Sequence, residues 1–283
     1  MSSATAPLLL CTDLDRTLLP NGEAPESPGA RERFAALVAH PEITLAYVSG
    51  RHLELVEQAI EQFGIPRPDW VISDVGSRLY QWQPPGQWLE SAAWQAEISR
   101  DWPGLSSGDI SEVLSSLGGL SLQGQDRQST YKLSYVLPLG VDLASLRQEM
   151  EARLQPLKAR SSWIYSVDEQ AQIGLLDILP ERATKLHAVE FLMRQQGFAP
   201  TSTVFAGDSG NDLPILVSSV PSVLVANAHP DVLQQAQDGS RQGGTSQQLY
   251  LAKGDFLGMN GHYSAGILEG LVHFHPDTRA WIS

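Results

Sequence analysis

Leu8-Leu9-Leu10-Cys11-Thr12-Asp13-Leu14-Asp15-Arg16-Thr17 is an unbroken apolar run that stops at two carboxylates one residue apart. An apolar run with no alternation reads as a strand buried on both faces, which is how a parallel sheet places its central strands. In open α/β sheets, ligands gather beyond the carboxyl ends of the strands. Asp13 and Asp15 therefore stand where a site is expected. Two acids this close repel each other unless a cation sits between them, so the pair points to a Mg²⁺ site.

Outward from this strand the chain keeps an α/β rhythm. Arg31 to Val38 has helical spacing, Ile43 to Val48 is a second strand, His52 to Phe63 is a helix closed by Gly64, and Trp70 to Ser73 is a third strand. Near Gln81 the texture changes. From there to about Pro180 the chain carries most of its tryptophans, several Gly and Pro breaks, alternating strands such as Tyr131 to Leu137, and an amphipathic helix from Val141 to Leu154. Strands not spaced by regular helices predict an α+β layer with antiparallel pairing. The α/β rhythm returns at Thr184 with a helix to Gln196, strands at Ser202 to Ala206 and Ser222 to Ala226, and a closing helix at Ile267 to Phe274. The fold class predicted is α/β: a Rossmann-like doubly wound core, residues 1–82 and 181–283, with an inserted α+β cap domain at residues 83–180. The polar, Gly-rich stretch from Asp238 to Gly244 is expected to be a mobile loop.

Composition narrows the functional classes. A chain of 283 residues that is 42% hydrophobic can bury a real core, and a net charge of −13 argues against a nucleic-acid partner. Phosphate recognition in so acidic a protein needs a few placed cations or a metal ion. The single cysteine, Cys11, lies inside the apolar run and reads as a small buried hydrophobe. With no long apolar segment, a soluble, cytoplasmic protein and no membrane partner are expected.

Three further motifs fall at strand or helix ends. Ser49-Gly50-Arg51 ends the second strand; a hydroxyl and the following N–H groups can donate to phosphate oxygens, and glycine permits close approach. Lys185 opens a helix, where a cation is unfavourable against the helix dipole unless an anion is near. Gly207-Asp208-Ser209-Gly210-Asn211-Asp212 follows another apolar strand and offers only oxygen donors for a hard cation. Each motif alone also fits an ordinary turn or an exposed helix face. Their joint occurrence in this order does not.

In that order the chain resembles the haloacid dehalogenase-like phosphatase superfamily, and within it the sucrose-phosphatase family. The similarity extends to Val75-Gly76-Ser77, Tyr131-Lys132-Leu133-Ser134-Tyr135, Asp177-Ile178-Leu179-Pro180 and Ala265-Gly266-Ile267-Leu268-Glu269-Gly270. It departs at Arg16, where a small or amide residue is usual, and at Leu186, where glycine is common. The resemblance implies a phospho-aspartate on Asp13, with Asp15 as general acid and base, and Mg²⁺ held by Asp13, Asp208 and the Asp15 carbonyl. It further implies phosphate contacts from Ser49, Gly50, Lys185 and Asn211, with Asp212 orienting Lys185 or a metal-bound water. Lys132 and Asp177 are candidates for sugar recognition in a cap that closes over the site. The substrate implied is a small-molecule sugar phosphate, sucrose 6-phosphate first, with mannosylfructose phosphate or a broad range of hexose phosphates as alternatives and a sucrose-phosphate synthase as a partner. A phosphomutase, or a non-catalytic docking domain, are the readings from other classes.

Overall fold

The computed structural model describes residues 6–168 and 171–282. In chain order its elements begin with β1 (Leu8–Thr12), α1 (Ala30–Val38), β2 (Ile43–Val48), α2 (Leu53–Phe63), β3 (Trp70–Ser73), β4 (Arg78–Gln83) and β5 (Gln87–Glu90). There follow α3 (Ala92–Ile98), α4 (Ser107–Leu114), β6 (Ser121–Leu122), β7 (Leu133–Pro138), α5 (Leu143–Leu154), β8 (Ser161–Asp168) and β9 (Ile173–Pro180). The chain closes with α6 (Lys185–Gln196), β10 (Thr203–Gly207), α7 (Leu213–Leu216), β11 (Ser222–Leu224), α8 (Pro230–Gln242), β12 (Leu249–Leu251) and α9 (Ser264–Phe274). Two compact units result, Met1–Glu90 with Lys185–Ser283, and Ser91–Thr184.

In the first unit the strand order is β12-β11-β10-β1-β2-β3-β4-β5. The six strands from β12 to β3 are parallel, and β4 and β5 add an antiparallel edge. All five residues of β1 are buried, as a strand covered on both faces requires. From β1 the chain winds outward through β2 and β3 on one side, and later returns through β10, β11 and β12 on the other. The reversal falls between β1 and β10, which sets a topological switch point beside Asp13. One face of the sheet packs on Phe34 and Leu37 of α1, Val56 and Ile60 of α2, and Ile267, Leu268 and Leu271 of α9. Gly270 lets α9 lie close to β11, since a Cβ there would stand 2.2 Å from Val223 Cγ2. Cys11 is fully buried, and burial pushes its thiol far above the ordinary range.

Two expectations are corrected here. The β4–β5 hairpin, whose second strand was expected in the inserted segment, is the edge of the large sheet. The stretch from Asp238 to Gly244 is mostly helix, because α8 runs to Gln242. Gly239 acts there as a packing residue, since an added Cβ would meet Val217 Cγ1 at 2.8 Å.

The second unit is a four-stranded antiparallel sheet, β6-β7-β9-β8. Leu133, Tyr135 and Leu137 of β7 and Leu176 and Ile178 of β9 share one core with Ile110 and Leu114 of α4 and Leu146, Met150 and Leu154 of α5. Strand alternation turns Ser134 and Asp177, which are cross-strand partners, to the opposite face. Asp101, fully buried, receives the guanidinium groups of Arg160 and Arg182 and the Arg182 N–H, and so fixes the start of β8 beside the segment leaving β9.

Candidate active site

Three neighbouring parallel strands, β10, β1 and β2, end side by side, and each hands the chain directly to a polar group. Asp13 follows β1, Ser49 follows β2 and Asp208 follows β10. Asp13 is buried; its N–H continues the ladder to the Ala206 carbonyl at 2.9 Å, and its Oδ1 accepts from the Leu14 N–H at 2.7 Å. Its other oxygen faces Lys185 Nζ at 3.1 Å. Lys185 is equally buried and donates to Asp212 Oδ1 at 2.8 Å and Asn211 Oδ1 at 2.9 Å. The cation at the helix start thus has its anions, which removes the penalty that the dipole would otherwise impose.

Asp212 organises the loop after β10. Its Oδ2 accepts from the N–H groups of Asp208 and Ser209 at 3.2 and 3.1 Å, and from Ser209 Oγ at 3.1 Å. This fold of the loop requires glycine at Gly207, where a Cβ would stand 2.6 Å from Asp212 Cγ. Ser49 is buried, with its N–H on the Ile72 carbonyl and its own carbonyl accepting from the Val75 N–H. Val75 carries a φ of 62°, a sterically costly value for a β-branched residue, in the turn that braces the Ser49 loop. Gly50 is exposed and has open space on its Cβ side.

Ligand oxygens of Asp13, Asp208 and Asp212 all lie within 4.8 Å of one another. Asp208 Oδ1 accepts from Thr17 Oγ1 at 3.0 Å, while its buried Oδ2 accepts no hydrogen bond. A buried carboxylate oxygen with no donor is costly unless a cation occupies it. The donor set is all oxygen, so these residues fit Mg²⁺. Asp212 has both oxygens engaged already, which leaves Asp13 and Asp208 as the acids with capacity to spare.

The carboxylate of Asp15 lies outside this group. Arg51 grips it with a two-pronged fork, Nε to Oδ2 at 2.8 Å and Nη2 to Oδ1 at 2.6 Å, and Asn21 Nδ2 adds a third bond at 2.6 Å. Burial pushes Asp15 upward, but the Arg51 bonds outweigh it and hold the carboxyl below its ordinary value. Thr17, Asn21 and Arg51 are residues that motif reading assigned no role. Arg51 stood inside a quoted motif, whereas nothing in the local pattern around Asn21 signalled its reach back to Asp15.

Lys132 and Asp177 lie in the second unit. Lys132 is buried, its Nζ 3.7 Å from Asp177 Oδ2, and Asp177 Oδ1 accepts from Ser134 Oγ at 2.5 Å.

Burial raises Asp13 to about 8 despite Lys185, and raises Asp208 to about 6. Unfolded carboxyls titrate near 3.8. Between those limits the folded, metal-free protein keeps protons that the unfolded chain has lost, so its stability falls as pH rises. The melting temperature of metal-free protein should therefore drop from about pH 4 towards about pH 8, and Mg²⁺ should raise it most at the upper end. A slope equally steep in Asp13→Asn would show that Asp13 does not carry the effect.

Among the described residues no helix is long and apolar enough to cross a membrane. Residues 6–275 match the family described as sucrose-6F-phosphate phosphohydrolase. A putative HAD-like hydrolase of Nitrosococcus oceani is 51% identical over 97% of this chain and 74% of its own length. The mannosylfructose-phosphate phosphatase of Agrobacterium fabrum is 28% identical over 96% of this chain and 98% of its own. The fold is shared with the sucrose-phosphatase of Synechocystis solved with sucrose and phosphate, at a TM-score of 0.69 and 24% identity over 96% of this chain and 99% of that one.

Proposed function

The chain belongs to the sucrose-6F-phosphate phosphohydrolase family of haloacid dehalogenase-like hydrolases, and from that premise we propose that it hydrolyses sucrose 6-phosphate to sucrose and phosphate. It is a Mg²⁺-dependent sugar-phosphate phosphatase. The observation that carries the reading is the convergence at one sheet edge of Asp13, Ser49, Lys185 and Asp208, with Asp13 and Asp208 able to share a cation.

The division of roles follows from what each group still has free. Asp13 attacks phosphorus in line through the oxygen that faces Lys185, and the P–O bond to the sugar breaks as the acyl phosphate forms. Lys185 holds a non-bridging oxygen, aided by the Ser49 hydroxyl, the Gly50 N–H and the Asn211 side chain. A carboxylate is a weak nucleophile, so positioning and charge neutralisation must supply most of the rate. Asp13 and Asp208 would hold Mg²⁺, with the Asp15 carbonyl as a third donor, and the bound ion offsets charge on the transferring phosphoryl group. Asp212 keeps Lys185 and the loop after β10 in place.

Asp15 donates a proton to the leaving sugar alkoxide, then takes one from the water that hydrolyses the acyl phosphate. As a carboxylate forked by Arg51 it cannot donate. Turnover therefore requires that Arg51 release Asp15 and that Asp15 take up a proton.

The second unit, as a cap domain, supplies sugar specificity through Lys132, Asp177 and Ser134, polar groups on the sheet face opposite α4 and α5. Lys132→Ala should lower kcat/KM for the preferred disaccharide phosphate by about tenfold or more. On p-nitrophenyl phosphate, which needs only the first unit, the loss should be under about threefold. Equal losses on both esters would remove Lys132 from specificity.

Phosphate release from sucrose 6-phosphate, mannosylfructose phosphate, glucose 6-phosphate and fructose 6-phosphate tests the substrate directly. A preference for sucrose 6-phosphate is expected. Preference for the mannosyl ester would move the chain to its Agrobacterium relative's reaction, and equal rates on all four would make it a broad hexose phosphatase. A sucrose-phosphate synthase is the class of enzyme that would supply the expected substrate.

A further inference from the structure

Arg16 lies between Asp15 and Thr17 in the loop that follows β1, and the structure gives it an unusual setting. Its φ is 58°, and its backbone is clamped on both sides, the N–H donating to Asn21 Oδ1 at 2.8 Å and the carbonyl accepting from Asn227 Nδ2 at 2.6 Å. The root of the side chain is thereby fixed. Its end is half-exposed, and Nε lies 3.5 Å from Asp208 Oδ2, the buried oxygen that accepts no hydrogen bond. On its other side lies a cavity of about 550 Å³ whose lining includes Asn21, Glu23, Asn227 and Tyr263. The side chain reaches past Gly22, where a Cβ would stand 3.4 Å from Arg16 Cγ. The amide of Asn21 is already engaged with Arg16 and Asp15, and that of Asn227 with Arg16 and Tyr263, so Glu23 is the charged group left in that lining.

At 3.5 Å the guanidinium neutralises Asp208 without making a hydrogen bond. A divalent cation bound through the same oxygen would be repelled by it. The open cavity gives the long side chain somewhere to go, beside Glu23, without moving its clamped backbone.

We propose that Arg16 is a built-in counter-ion for Asp208 that competes with Mg²⁺ for the carboxylate and so sets the Mg²⁺ concentration at which the site fills. This rests on the reading of Asp13 and Asp208 as the Mg²⁺ site. Arg16→Asn removes the charge while tolerating the left-handed backbone, and Arg16→Lys keeps the charge. In calorimetric titrations of metal-free protein with MgCl₂ and no substrate, Arg16→Asn should bind about tenfold more tightly than wild type at low salt. Arg16→Lys should stay within about threefold of wild type, and the gain in Arg16→Asn should shrink as NaCl is raised. Unchanged or weaker binding by Arg16→Asn overturns the proposal. So does equal tightening in both variants, which would trace the effect to shape rather than charge. Wild-type protein that binds no Mg²⁺ at all would instead overturn the metal-site reading beneath it.

Discussion

Asp13→Asn is expected to lower turnover of the sugar phosphate by about 10⁴-fold or more while the protein still melts cooperatively. The amide cannot form an acyl phosphate, and no second carboxylate can take its place. Asp208 and Asp212 are held by Thr17, Lys185 and the loop N–H groups, and the Asp15 carboxylate lies outside the cluster that Asp13 forms with them. The fold should persist because the Leu14 N–H keeps an oxygen acceptor and one of three crowded acids is neutralised. Steady-state phosphate release and a thermal melt on the same preparation check both halves. Activity within about tenfold of wild type would rule out Asp13 as the nucleophile.

Asp15→Asn should separate the two chemical steps. On a sugar ester the leaving alkoxide is a strong base, so loss of the acid should cost about 10²–10⁴-fold. On p-nitrophenyl phosphate the leaving nitrophenolate needs little help, and the first step should survive. The second step still lacks its base. Rapid mixing should therefore show a burst of nitrophenolate near one equivalent per site, followed by slow turnover. A slow linear trace without a burst would mean that Asp15 acts before or during phosphoryl transfer in some other way.

The parts of the site that could be read from sequence are those that parallel-sheet geometry brings together. Once Leu8 to Thr12 is a buried parallel strand, Asp13 must sit at its carboxyl end, and the same holds for Ser49 after β2 and Asp208 after β10. What could not be read are long-range choices among equivalent partners. Asp15 carries no local sign that Arg51, 36 residues on, will fork it, nor does Thr17 that it will cap Asp208 across 191 residues. The change of texture near Gln81 signals that an insertion is close but cannot say which sheet residues 78–90 join, and they extend the large one. In α8 the usual meaning of glycine as a breaker was misleading, because Val217 packs where the Gly239 side chain would be.

The covalent route through Asp13 has a direct measurement. Wild-type protein turning over sucrose 6-phosphate labelled in its phosphate should be quenched in acid within the first turnover, alongside Asp15→Asn given labelled p-nitrophenyl phosphate, on which the first step survives while breakdown of the intermediate is slowed. The expected result is label on the peptide containing Asp13, removed by hydroxylamine as an acyl phosphate is and absent from Asp13→Asn. Full phosphate release with no label on the protein in either form would contradict a phospho-aspartate.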